Sequence, residues 1–300
     1  MLRYAAYRVY EKLLKLEIDD HPSHIAVIQD GNRRYAKKRG EDPAKGHRYG
    51  ADTTEEMLDW VCEQDIKQVT LYTFSTENFN RPDDELEELF DLIEKRLHEL
   101  AEDERVHRNE INVKGIGEID ELPENVVEAI ERVERVTEDY DEFQLNLALG
   151  YGGRRELLEA TRDIMREVEK GELDPGEIDA ETVSRNVYRD ETLDVDLVIR
   201  TGGDERISNF LPWQAKGNES TVYFCAPYWP AFRKIDFLRA VRTYGNRRKN
   251  REERNANRAV SLLRRMGEQE MEDLTEIKEK VVQEYGPKVA DEDVADTTSG

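Results

Sequence analysis

The chain has little with which to build a disulfide framework, a metal finger or a nucleophilic triad. Cysteine occurs twice, at Cys62 and Cys225, in apolar surroundings and without metal-type spacing. The two are read as buried thiols of a reducing cytosol. Histidine occurs five times, and no HExxH, Ser-His-Asp or Cys-His arrangement is visible. No GxxxxGK[ST] or GxGxxG stretch is found, so neither a P-loop nor a dinucleotide site is supported. Positive charge is scarce. Lys and Arg number 45 against 68 Asp and Glu, a net charge of −23, so the surface lacks the basic footprint of a nucleic-acid binder. No apolar run approaches the roughly 20 residues that span a bilayer, and no secretory leader is recognisable. A cytoplasmic location is expected.

What is present is an acidic, well-patterned α/β sequence. Acid in such excess keeps a protein soluble at high salt, and periodic apolar segments argue against disorder. Residues 1–18 read as an amphipathic helix with Tyr7, Tyr10, Leu13, Leu14 and Ile18 on one side. Such a helix lies on a membrane surface or packs on the domain, and the sequence leaves both open. Strands are expected over 24–28, 69–74, 111–116, 143–149, 195–199 and 221–224. Helices are expected over 51–65, from Pro82 to about 103, over 123–137, to about 170 and onward from Ile235. This alternation predicts a single, mostly parallel six-stranded sheet covered by helices on both faces.

The chain is organised around His24–Arg34, a β-branched strand ending in Gln29, Asp30, Gly31, Asn32, Arg33 and Arg34. Ligands bind beyond the C-terminal ends of parallel strands. Gly31 permits close approach to an anion, and Arg33 and Arg34 present forked donors for phosphate. Asp30 cannot bind phosphate directly. It is read either as a ligand to a magnesium ion travelling with the phosphate or as the cap of the following helix. Three further strand ends carry polar residues: Ser75 to Arg81, Gly150 to Arg154, and Arg200 to Ser208. Two arginine groups, Arg33/Arg34/Arg81 and Arg200/Arg206, imply two anionic substrates. The residues alone describe a magnesium-assisted transferase acting on two phosphorylated substrates. A phosphatase or isomerase on the same crevice would lack a nucleophile or a general-base histidine.

These stretches, with the run from Asp196 to Gly203 and from Arg206 to Gln214, resemble the cis-prenyltransferases, the family of undecaprenyl and dehydrodolichyl diphosphate synthases. The likeness covers roughly residues 20–250. It implies sequential cis-condensation of isopentenyl diphosphate with an allylic diphosphate, giving a long-chain polyprenyl diphosphate that serves as a glycosyl carrier precursor. It implies that Asp30 is the essential acid and a Mg2+ ligand, with Glu219 the second acidic ligand. Gly31, Asn32, Arg33, Arg34, Tyr35 and His47 would hold the allylic diphosphate. Ser75, Thr76, Glu77, Phe79 and Arg81 would line the same region, and Asn78 would assist proton removal. Arg200, Arg206, Ile207 and Ser208 would bind isopentenyl diphosphate. A dry product tunnel is implied, with Leu71, Leu89, Phe90, Ile93, Leu145 and Leu147 as lining or as ordinary core.

The chain departs from the bacterial pattern. Arg33 stands at a bacterial glycine, Tyr35 at a tryptophan, Pro43 at a phosphate-binding arginine for which Lys45 is a substitute, and Glu205 at a histidine of some relatives. The Asn-Arg-Arg form, with the acidic surface, points to a halophilic archaeon. No Arg-x-Gly element follows Arg248. The seven basic residues from Arg242 to Arg258 either reach a partner's active site or form a solvated face. The expected organisation is an N-terminal helix (1–19), a catalytic domain (20–250), a helical extension (251–286) and a disordered acidic tail (287–300). The resemblance also implies a homodimer and peripheral membrane contact. It leaves the primer open between geranylgeranyl and farnesyl diphosphate. A non-catalytic scaffold subunit of the same fold is the alternative, disfavoured by retention of Asp30, Asn32, Arg34, Arg200 and Arg206.

Overall fold

A computed structural model describes residues 2–64, 66–187, 194–215 and 219–285. The elements run α1 (Leu2–Leu16), β1 (His24–Ile28), α2 (Asn32–Lys38), α3 (Pro43–Cys62), β2 (Gln68–Tyr72), α4 (Asp83–Glu102), α5 (Glu104–Arg108), β3 (Ile111–Ile116), α6 (Glu124–Thr137), β4 (Phe143–Ala148), α7 (Gly153–Glu169), α8 (Ala180–Val187), β5 (Leu197–Arg200), β6 (Thr221–Phe224) and α9 (Lys234–Tyr285). The strands form one sheet in the order β3-β4-β2-β1-β5-β6. Every adjacent pair is parallel, so the expected mostly parallel sheet is wholly so.

Register fixes where chemistry can occur. Ile116, Ala148, Tyr72, Ile28, Arg200 and Phe224 lie in one row across the sheet. The four polar strand-end segments therefore leave from a common edge. β1 is buried at all five positions, as a central parallel strand with both faces covered requires. Its alternate residues feed two cores. Ile25 and Val27 join the larger cluster with Val69, Leu71 and Leu145. Ala26 and Ile28 join the smaller one with Val198 and Phe210.

Several local features differ from expectation, each for a physical reason. α3 begins at Pro43 rather than at residue 51. Proline at the first helical position and Asp42, which accepts the Ala44 N–H at 2.9 Å, start it early. Gly46 does not interrupt it, because that glycine is the contact with α2: a Cβ there would lie 2.1 Å from the Asn32 carbonyl oxygen. α5 and α8 were not expected. Asp103 starts α5 by accepting from Arg105 N–H at 2.8 Å, and Asp179 accepts from Thr182 N–H at 2.9 Å before α8. Cys225 is buried as expected, but Cys62 is exposed. It ends α3 beyond the inward stripe of Met57, Trp60 and Val61. On α1, Leu14 is fully buried and Tyr7 and Tyr10 pack against the core, as does Ile18 just after the helix, whereas Leu13 turns outward with Val9 and Leu16.

The chain divides into two compact units, one ending at Gly245 and one starting at Asn246. In the first, the opening turns of α9 bury Ile235, Phe237, Leu238 and Val241. In the second, α9 continues, with residues 246–250 exposed. The expected acidic tail, 287–300, lies outside the described residues. Phe74, just after β2, is wholly buried and meets Phe79 edge-on at 4.9 Å and Phe90 at 5.1 Å. Phe74→Ala is expected to lower the unfolding free energy by ~3–5 kcal/mol, read as a lower urea midpoint at unchanged slope.

Candidate active site

The edge row leads directly to Asp30. Its backbone N–H donates to Thr201 Oγ1 at 3.0 Å, and Thr201 Oγ1 donates to the Asp30 carbonyl at 2.8 Å. This exchange ties the ends of β1 and β5 together. The residue after it, Gly31, has φ of 106° and is the N-cap of α2. A Cβ there would be strained and would lie 2.6 Å from the Tyr228 ring. Asp30 is therefore not the helix cap. Its carboxylate turns to arginine: Oδ1 accepts from Arg34 at 2.8 Å and Oδ2 from Arg200 at 2.7 Å. Burial pushes the carboxyl pKa up, but the hydrogen bonds and charges of Arg200 and Arg34 outweigh it and hold Asp30 below the usual carboxylate range.

The arginines sort differently from the sequence expectation. Arg34 joins Arg200 on Asp30, and it lies 5.3 Å from the Tyr228 ring centroid. Arg33 and Arg81 share Glu85, at 3.4 and 2.8 Å. Arg200 has a side chain only 4% exposed. It donates to Ser208 Oγ at 2.7 Å, to Asp204 at 3.3 Å and to the Arg206 carbonyl. Asp204 also accepts from Arg206 at 3.2 Å. The segment that makes these contacts is held in an unusual backbone: Ser208, Asn209 and Leu211 have φ of 47°, 59° and 47°. It is pinned by Phe210, stacked on Tyr72 at 4.4 Å. Gly153 N–H donates to the Asn209 carbonyl at 3.0 Å and Arg154 N–H to Asn209 Oδ1 at 2.9 Å. The Gly150 to Arg154 turn thus braces this segment.

Two polar concavities and one apolar cavity meet here. The first concavity gathers Gly31, Arg33, Arg34 and Pro43. The second gathers Ser75, Glu77, Asn78, Arg200, Arg206 and Ser208. Asp30, Asn32, His47 and Arg81 border both. Asn78 Oδ1 accepts the Ser75 N–H at 2.8 Å, which leaves its Nδ2 protons to offer. The cavity, about 420 Å³, runs from Asn32 and His47 between α3 and α4 and beneath the sheet. Leu71, Leu89, Ile93, Leu145 and Leu147 line it; Phe90 instead packs on Phe74 and Phe79.

Other expected residues stand outside these linings. Tyr35 meets Tyr49 at 5.9 Å. Thr76 packs against Gly152, Phe79 on Phe74, and Ile207 on the smaller core. Lys45 and Glu205 are exposed. Glu219 precedes β6 and so lies toward the edge of the sheet opposite Asp30. The exposed acids Glu110, Asp141 and Glu142 come close together, but they too precede their strands, away from Asp30. Sequence reasoning missed Lys37, Glu85 and Tyr228. Lys37 lies one turn beyond Arg33 and borders the first concavity, and the i,i+4 spacing of Arg81 and Glu85 was a readable signal. Tyr228 carried none.

The family described as "Putative undecaprenyl diphosphate synthase" matches residues 28–252. A Haloarcula marismortui protein named tritrans,polycis-undecaprenyl-diphosphate synthase (geranylgeranyl-diphosphate specific) is 51% identical over 265 residues, covering 88% of this chain and 87% of its own. A Halobacterium salinarum protein of the same name is 51% identical over 263 residues, covering 88% and 87%. The crystal structure of lavandulyl diphosphate synthase from Lavandula x intermedia, in complex with dimethylallyl diphosphate, aligns with a TM-score of 0.70 at 32% identity, over 75% of this chain and 95% of that one. That of a probable undecaprenyl diphosphate synthase from Campylobacter jejuni gives 0.61 at 32%, over 76% and 96%.

His47 supplies a pH test. Burial, then the charges of Arg81 and Arg33, lower its pKa from 6.5 to about 4. The ring is neutral, and Nε2 accepts from Arg81 at 3.3 Å. Between these pH values the unfolded chain holds a proton that the folded chain does not, so stability rises with pH. The contribution is complete above about 6.5 and is lost as pH falls toward 4. His47→Gln is expected to flatten this slope by at most about 1.4 kcal/mol per pH unit, less where water reaches the ring. Urea unfolding of both proteins across that range measures it.

Proposed function

The chain belongs to the cis-prenyltransferases, the family of the undecaprenyl diphosphate synthases, and we propose how its residues carry the family's reaction. It condenses isopentenyl diphosphate with an allylic diphosphate, forming a new cis double bond at each addition. In chemical terms, the allylic C–O bond breaks, a C–C bond forms to the isopentenyl carbon, and a proton is lost. The leaving group is diphosphate. We infer that the primer is geranylgeranyl diphosphate, on the identity to the haloarchaeal proteins named for it.

The observation that carries the residue assignment is the ionised Asp30 carboxylate between Arg34 and Arg200. Arg33, Arg34, Lys37, His47 and the N–H of Gly31 hold the allylic diphosphate in the first concavity. Arg200, Arg206 and Ser208 hold isopentenyl diphosphate in the second. The allylic chain enters the apolar cavity, which excludes water from a developing cation. Asn78 is too weak a base to take the proton itself. It offers its Nδ2 protons to orient the diphosphate oxygen that does. Ser75, whose N–H Asn78 Oδ1 accepts, starts the turn that carries it, and Glu77 lines the same concavity.

A divalent cation, Mg2+ in this reading, neutralises charge on the departing diphosphate when bound. The residues present fit it. Each Asp30 oxygen accepts from one arginine and retains a lone pair. Hard cations take such oxygens. Glu219, at the other edge of the sheet, leaves Asp30 as the protein's own ligand within one copy of the chain.

For the homodimer, the outer face of α7 is the surface assigned to a second copy. Leu158 and Met165, two turns apart, are each 58% exposed there. For lipid contact, α1 combines exposed Val9, Leu13 and Leu16 with exposed Arg8 and Lys12, a basic amphipathic face on an otherwise acidic protein.

Asp30→Ala is expected to lower kcat by at least about 10²–10³-fold in a Mg2+-dependent assay with both diphosphates. Turnover near the wild-type rate would remove Asp30 from the mechanism. The purified chain alone should turn over, which a scaffold subunit would not. Mass spectrometry of products should show geranylgeranyl diphosphate used in preference to farnesyl diphosphate.

A further inference from the structure

Gln29, Asn32 and His47 each border both polar concavities and the apolar cavity. The family likeness accounts for Asn32 and His47 and assigns nothing to Gln29. Gln29 follows Ile28, the last residue of β1. Side chains alternate along a strand, so Gln29 shares the side of Ile25 and Val27, which face the larger core. There it meets α3, where Gln29 Nε2 donates to Thr54 Oγ1 at 2.8 Å. A second bond fixes the direction of the first. Thr54 Oγ1 donates its single proton to the Gly50 carbonyl at 3.0 Å, so toward Gln29 it can only accept. The amide nitrogen therefore faces Thr54, and the carbonyl oxygen, Oε1, occupies the other arm of the amide. Trp229 Nε1 donates to the same Gly50 carbonyl at 2.8 Å, which anchors the relay on a wholly buried indole.

We propose that Gln29 is a catalytic residue whose Oε1 dipole stabilises the allylic cation as the C–O bond of the primer breaks. The proposal rests on the reading that the two concavities hold the two diphosphates and the cavity holds the hydrocarbon of the primer. On that reading the reacting carbon sits where the three spaces meet. It is bonded to the first diphosphate, attacked from the second site and continuous with the chain in the cavity. The electron pair of the broken bond leaves with diphosphate. The isopentenyl double bond supplies the pair for the new C–C bond, and a proton is lost to a diphosphate oxygen. Gln29 forms no bond and moves no proton. Its oxygen carries partial negative charge, already oriented, next to a carbon that becomes positive where little water screens it. An apolar side chain of the same length would offer no dipole. A carboxylate would capture the cation as an ester and repel the diphosphate. His47, which borders the same junction, is neutral and adds no opposing positive charge.

Single-turnover rates of the first condensation, measured on the purified full chain with both diphosphates and Mg2+, separate chemistry from product release. Gln29→Met keeps the length of the side chain and removes the dipole. It is expected to lower the rate at saturation by at least about tenfold, with KM for each diphosphate within about twofold of wild type and an unchanged urea midpoint. Thr54→Val keeps the amide and frees it to turn. It is expected to slow the step by a smaller factor, and the double variant is expected to be no slower than Gln29→Met alone, because Thr54 acts through Gln29. A rate within about twofold of wild type in Gln29→Met, or a raised KM at an unchanged rate, would overturn the proposal. So would losses that multiply in the double variant, the mark of two independent structural contacts. If Asp30→Ala abolishes turnover while Gln29→Met does not slow the step, the role of Gln29 fails and the reading of the site stands. If Asp30→Ala also turns over near the wild-type rate, the reading of the site fails with it.

Discussion

A guanidinium placed at the end of a central parallel strand sets the terms for everything around it. Arg200 closes β5, and its side chain is almost entirely out of water. A charge so placed is tolerable only with partners at hydrogen-bond distance. Asp30, Asp204, Ser208 and the Arg206 carbonyl supply them. Meeting that demand shapes the chain. β1 must pair with β5 in the register that brings Ile28 opposite Arg200. The segment after β5 must fold back through left-handed backbone to present Ser208. Phe210 must be buried against Tyr72 to hold it there. Strain at Ser208 and Asn209 is sustained because the stack and the Gly153 contact over-determine the loop.

The same arrangement places opposite physical environments side by side. Charged groups crowd the sheet edge, and an apolar cavity opens directly beneath, with His47 and Asn32 bordering both. His47 is kept neutral by burial and by Arg81 and Arg33, so it adds a polar contact at the boundary without adding charge to the dry side. In the proposed reading, the anionic end of a prenyl diphosphate and its hydrocarbon end find matching surroundings within one crevice. The protein as a whole is strongly acidic. Among the described residues, the cations that line the two concavities are Arg33, Arg34, Lys37, Arg81, Arg200 and Arg206.

Much of this was legible in the letters. Uninterrupted β-branched strands such as 24–28 announce burial on both faces, and polar residues at their ends announce a shared edge. Asp30, Arg34, Arg200 and Ser208 could be named from that pattern together with the family likeness. What could not be read was pairing. Arg34 and Arg200 stand far apart in sequence, so their convergence on Asp30 depends on register. Gly46 is a helix contact, because a Cβ there would strike the Asn32 carbonyl, and only the fold shows that. Tyr228 gave no local signal, since its ring matters only where it covers Gly31. Within one copy of the chain, strand direction brings Glu219 to the edge of the sheet away from Asp30.

The strand order has a bearing on how the molecule comes into being during synthesis. β1 is among the first elements made, yet one of its two neighbours is β5, and the bond from Arg200 to Asp30 spans 170 residues. At about 5–20 residues per second a ribosome needs on the order of ten to thirty seconds to make that stretch. Throughout it, one flank of an apolar strand has no partner, and Asp30 has no Arg200. Only the β2, β4 and β3 side can assemble early. The active site is therefore among the last parts to form, and the nascent half-sheet is the species with most to gain from a chaperone.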